Sequence, residues 1–192
     1  MALEKSVEKL LDATMARRGE LLKKGIIVLN TNFDDISMEH VFFDINYLAS
    51  DNNVKEIKLF INSNGGDVFA LFPLANLIDS LIGKKTVSTT VMGKAFSCGF
   101  LLAICGHKGH RYAFKDSFLL AHEVATDSGY LKNSQNKIDA TFTDQLNERL
   151  IQIIKEKTKM TRPQIEKYMS SNMDYFMTAK EALKFGVIDK VI

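Results

Sequence analysis

The stretch KAFSCGFLLA (94–103) sets Ser97 and Cys98 side by side between an aromatic residue and an apolar run that has the look of a buried helix. Polar groups taken into such a place cost free energy unless they find partners. Two readings fit. In one, Ser97 caps the helix, Gly99 is small, and the rest packs. In the other, one of the pair is a nucleophile at a helix N-terminus, where backbone N–H groups stabilise negative charge. A thiolate forms more readily than an alkoxide, and a helix N-terminus lowers a thiol's pKa, so chemistry alone does not choose between Ser97 and Cys98.

Other segments hold the partners such a nucleophile needs. Gly65 and Gly66 follow the expected strand IKLFI after the polar residues Asn62, Ser63 and Asn64. They make either a plain strand-to-helix turn or a loop whose N–H groups bind an oxyanion. The G-x-x-x-x-G-K-[ST] spacing of a nucleotide-binding loop is absent. His122 ends the apolar run FLLAH, at the strand end where mostly parallel sheets place their sites. Asp174, ahead of the sequence TAKE, is either a loop carboxylate near a helix start or the group that orients a histidine. The C-x-H-x-x-H string of Cys105, His107 and His110 lacks the fourth ligand of a structural zinc site and is assigned to a polar turn, so no metal is expected.

The elements that must position these residues follow from periodicity. GIIVL (25–29), IKLFI (57–61) and TVSTTVM (86–92) are expected strands, the last followed by a turn; RYAF and SFLLAH are two more. Ser37 is expected to cap a helix with Met38, Val41, Phe42, Ile45, Leu48 and Ala49 on its apolar face. A helix perturbed by Pro73 follows the glycines. Strand and helix alternate through the first two thirds of the chain, which implies an α/β fold with a largely parallel sheet. A long helix follows, with Ile138, Phe142, Leu146, Leu150, Ile153 and Ile154 in one stripe, longer than a small sheet can cover. Another helix starts near Thr161 with Pro163 in its first turn. Thr178 and Glu181 then form a capping box, and Gly186 closes that last helix. Leu3, Val7, Leu10, Leu11 and Met15 mark an amphipathic helix at the start.

Composition bounds the function. The 192 residues fit one domain, and 25 Lys and Arg against 23 Asp and Glu, without a basic cluster, argue against a nucleic-acid surface. No signal peptide or membrane span is expected, and Cys98 and Cys105, in one helical segment, do not pair in a disulfide. The expected location is cytoplasmic.

Taken in order, ELLKKGIIVL, LFINSNGGDV, VMGKAFSCGFLLAICGHKGHRYAFKDSFLLAH and DYFMTAKEALKFGVIDKVI resemble the proteolytic subunit of the Clp protease over residues 21–192. That resemblance implies a crotonase-like ββα superhelix, one peptidase domain over 21–192 with a projecting handle at about 123–158, and an N-terminal segment of its own over 1–20. It also implies a serine endopeptidase that cuts peptides and unfolded polypeptides inside stacked heptameric rings. Ser97 is then the nucleophile, His122 the base, Asp174 the orienting acid, and the amides of Gly66 and Cys98 the oxyanion hole. No cofactor is expected in the chain; ATP belongs to a partner AAA+ unfoldase. The sequence departs from the family pattern at Asn64 and Asp67, in EVATDSGYLKN after His122, and in the helical N-terminal segment where the family carries axial loops. Two alternatives stand beside this reading: an acyl-CoA hydratase or isomerase of the crotonase type, which has no use for the three triad residues, and an inactive ring-forming subunit.

Overall fold

In the computed structural model, which describes residues 2–124, 133–169 and 175–192, the apolar runs become strands of one sheet. Strands β1 (Ile26–Leu29), β2 (Glu56–Ser63), β3 (Thr86–Phe96), β4 (Arg111–Ala113) and, from the far end of the chain, β7 (Lys190–Val191) lie in the order β1-β2-β3-β4-β7, every neighbour parallel. Two further strands leave this path. β5 (Phe118–Leu120) runs parallel to β3, and β6 (Met177–Thr178) runs antiparallel to β5.

β3 is the organising strand. Thr89–Val91 pair with Arg111–Ala113, and further along Lys94–Phe96 pair with Phe118–Leu120. One strand therefore serves two partners in succession along the same edge. The turn expected after TVSTTVM is not formed, because pairing with β5 keeps the backbone extended to Phe96.

Seven described helices flank the sheet: α1 (Ala2–Lys23), α2 (Asp35–Ser50), α3 (Val68–Ser80), α4 (Cys98–Cys105), α5 (Asn133–Lys157), α6 (Arg162–Met169) and α7 (Ala179–Lys184). The architecture is thus the α/β class read from the sequence. α2 buries Met38, Val41, Ile45 and Leu48, but its cap is Asp34, whose carboxylate accepts the Ser37 N–H at 2.8 Å. Ser37 instead sits inside the first turn. In α3 Asp67 caps the start and Pro73 is accommodated within the helix. The capping box of Thr178 and Glu181 forms as expected, and Gly186 turns the chain with φ 67°.

α4 is buried along its whole length. The stripe of α5 divides: Leu146, Leu150, Ile153 and Ile154 are buried, whereas Ile138 and Phe142 remain 62% and 51% exposed. α1 packs on β1 through its C-terminal part, where the Arg18 guanidinium meets Asp44 at 2.6 Å. No described helix is long and apolar enough to cross a membrane.

Candidate active site

Ser97 links β3 to α4, and its backbone is unusual. It has φ 54° and ψ −120°, and it is the only described residue other than glycine with a positive φ. A side chain in that conformation costs about 1–3 kcal/mol and persists only where surrounding contacts enforce it. Those contacts are identifiable. The Ser97 N–H donates to the Leu120 carbonyl at 2.8 Å, and its carbonyl accepts the Leu101 N–H at 3.1 Å. Ser97 occupies the N-cap position, yet its hydroxyl makes no capping hydrogen bond. The strained backbone therefore serves no cap.

The glycine loop is pressed against this corner. A Cβ on Gly65 would lie 2.6 Å from both the Phe96 carbonyl oxygen and Ser97 Cβ, so only glycine admits the approach. Gly66 has φ 145°, and a Cβ there would fall 2.2 Å from the Phe33 carbonyl oxygen. Phe33 holds the loop by a short parallel bridge: its N–H donates to Gly65 O at 2.8 Å and its carbonyl accepts the Asp67 N–H at 2.9 Å. Below the loop the buried Ser63 hydroxyl accepts the Gly65 N–H at 3.0 Å. Neither the Gly66 nor the Cys98 N–H donates to a described backbone carbonyl.

Burial distinguishes the thiol from the hydroxyl beside it. The Cys98 thiol is buried and donates to the Gly66 carbonyl at 3.1 Å. Burial pushes its pKa up to about 11, so it is protonated at neutral pH and a poor nucleophile. Its contact instead ties the first peptide of α4 to the glycine loop.

His122 follows β5 by two residues, so the Ser97–Leu120 hydrogen bond that couples the ends of β3 and β5 also brings the imidazole to the serine's side. Both residues line one cavity of about 430 Å³, which also receives Gly66, Cys98 and Asp67. The Nδ1 atom of His122 is engaged by the Glu123 carbonyl. With Nδ1–H donating there, Nε2 is left as the basic nitrogen. Asp174 lies outside the described residues, as does most of the segment after Val124. The chain nearest to Asp174 does return to this site: Phe176 packs edge-on against Phe96 with centroids 5.3 Å apart, and Met177 pairs with Leu119. Read backwards from Thr178, the antiparallel register runs toward the His122 end of β5.

The cavity floor is apolar, formed by Leu101, Phe142, Leu146, Leu150 and Met169. Phe142 stacks on Phe69 at 6.1 Å. The sequence placed Phe142 in an exposed stripe, and nothing in its spacing pointed to the cavity. Phe33 was missed altogether, since its part is played by backbone atoms. The string of Cys105, His107 and His110 does not converge: Cys105 is buried in α4, His107 bridges the Val87 N–H and the Ile78 carbonyl, and His110 faces Glu56 at 3.9 Å.

The family model described as Clp protease matches residues 11–192.

Proposed function

Because the chain belongs to the Clp protease family, we propose that it is a serine endopeptidase that acts on peptides and unfolded polypeptides. Ser97 Oγ attacks the scissile carbonyl carbon while His122 Nε2 accepts its proton. The N–H groups of Gly66 and Cys98 stabilise the tetrahedral oxyanion. The imidazolium then protonates the leaving amine, and the acyl-enzyme is hydrolysed by water activated on the same nitrogen. Asp174 is the acid that takes over the Nδ1–H held in this structure by the neutral Glu123 carbonyl, and so charges and orients His122 for catalysis. No step in this sequence draws on a cofactor, and ATP enters only through a partner unfoldase.

The observation that carries this reading is the strained Ser97, which combines a φ of 54° with an uncapped side chain and lines the cavity that His122 shares. Strain of this kind is stored at functional sites. The apolar floor suits an apolar side chain next to the scissile bond. The exposed Ile138 near the start of α5 suits contact with further copies in a closed ring. Labelling with a fluorophosphonate, followed by mass spectrometry of the modified peptide, tests the reading directly. Modification at Ser97 that disappears in Ser97→Ala and weakens in Asp174→Asn is the expected result. An unlabelled Ser97 in assembled protein leaves the inactive subunit as the better account.

A further inference from the structure

The rim of the Ser97 cavity differs in charge from the chain that forms it. The protein carries 25 Lys and Arg against 23 Asp and Glu. Yet among the described residues the charged groups lining the cavity, other than His122, are both acidic, Asp67 and Glu123, with no lysine or arginine beside them. Both carboxylates belong to exposed residues, and neither forms an ion pair among the described residues. One oxygen of Asp67 accepts the Phe69 N–H at 2.8 Å, which fixes the carboxylate at the start of α3.

Their places in the chain decide what they meet. Asp67 directly follows Gly66, whose amide faces the oxyanion on the reading above, and Glu123 directly follows the base His122. Both residues line the cavity that Ser97 and His122 share, and both are exposed, so two negative charges stand at its mouth. In an extended substrate, successive side chains point to opposite sides. A side chain seated on Leu101, Leu146 and Met169 therefore turns its neighbours toward the rim.

We infer that this peptidase selects substrates in which the apolar residue at the cleavage position is flanked by lysine or arginine, and that it disfavours acidic flanks. The inference rests on the serine-peptidase reading and adds to it a substrate class set by Asp67 and Glu123.

The test uses the full chain and three fluorogenic peptides that share one leucine at the cleavage position and carry Lys, Ala or Glu on both sides of it. The expected order of kcat/KM is Lys over Ala over Glu, with a Lys-to-Glu ratio of about tenfold at low ionic strength. Salt near about 1 M should compress that ratio, because exposed charges are screened over about 3 Å. The double variant Asp67→Asn with Glu123→Gln should bring the ratio close to one. Asparagine keeps the α3 cap, and glutamine keeps the Glu123 carbonyl, so both substitutions remove charge and little else. A ratio that survives in the double variant overturns the inference. So does a fluorophosphonate-labelled Ser97 in a protein that cleaves the three peptides equally or not at all. Absence of both labelling and cleavage overturns the peptidase reading itself.

Discussion

The two ends of α4 have opposite designs. At its N-terminal end Ser97 has a strained backbone and an uncapped hydroxyl, and the N–H groups of Gly66 and Cys98 meet no described carbonyl. At its C-terminal end the polar groups are matched. The buried Thr89 hydroxyl donates to the Ala103 carbonyl at 2.7 Å, and Gly106 leaves room for it, since a Cβ there would meet Thr89 Oγ1 at 2.4 Å. Arg111, 3% exposed, donates to both oxygens of Asp189 and, at 2.6 Å, to the Lys157 carbonyl. The same helix is held firmly at one end so that strain can be kept at the other. A disfavoured φ and donors without a carbonyl partner among the described residues mark one end; matched hydrogen bonds mark the other.

The sharpest way to break this contrast is at the strained end. Ser97→Ala should lower the peptidase rate by at least about three orders of magnitude and leave the fold intact. Ser97→Gly should be as inactive but more stable than wild type, by about 1 kcal/mol, because glycine relieves the positive φ. Equal melting temperatures for wild type and Ser97→Gly would show that the corner is not strained.

Next comes the anchoring end. Arg111→Met removes a buried guanidinium and leaves the half-buried Asp189 without its partner, and should cost about 1–3 kcal/mol in chemical denaturation. Activity per folded molecule should survive, since Arg111 is remote from the cavity. The pair also has a pH signature. Burial pushes the Asp189 carboxyl up, but Arg111 and the Gly109 and Arg111 amides outweigh it and hold it below its ordinary 3.8. A carboxylate depressed in the folded state contributes stability that is complete well above 3.8 and is lost as pH falls through its folded value. The stability gap between wild type and Arg111→Met should accordingly narrow in acid below pH 3.8 and stay constant from neutrality to mildly acidic pH.

The smallest effect belongs to Cys98. Cys98→Ala removes a thiol that donates to Gly66 O but keeps the amide, so turnover should fall by no more than about fivefold. Iodoacetamide should modify wild-type Cys98 only slowly at neutral pH, since burial holds the thiol near 11. A dead Cys98→Ala enzyme would move the nucleophile's role to the thiol.

What was legible in the sequence is instructive residue by residue. The capping box at Thr178, the long helix through Leu150 and the strand before Gly65 depend on local spacing and form as read. The α2 cap was misplaced because Asp34, Asp35 and Ser37 are all capping residue types within four positions, and only backbone geometry selects among them. The extension of β3 past Met92 depends on a partner strand more than twenty residues later, which no local window contains. Ser97's φ was illegible for the same reason: Leu120 imposes it from β5. The candidate site residues were named through the resemblance of several ordered motifs, and Ser97, His122, Gly66 and Cys98 line one cavity. Spacing alone left Ser97 and Cys98 undivided, and burial, a tertiary property, separates them.

The long reach of these pairings has a consequence for synthesis. Arg111 and Asp189 are 78 residues apart in the chain, and β5, which sets the Ser97 corner, is completed by β6 from Met177–Thr178. At about 5–20 residues per second, several seconds separate the appearance of the nucleophile from that of the strands that brace it. During that interval Ser97 is free to relax to an ordinary backbone conformation. A nascent chain therefore carries Ser97 without the corner that strains it until β6 has been made and β5 is braced on both sides.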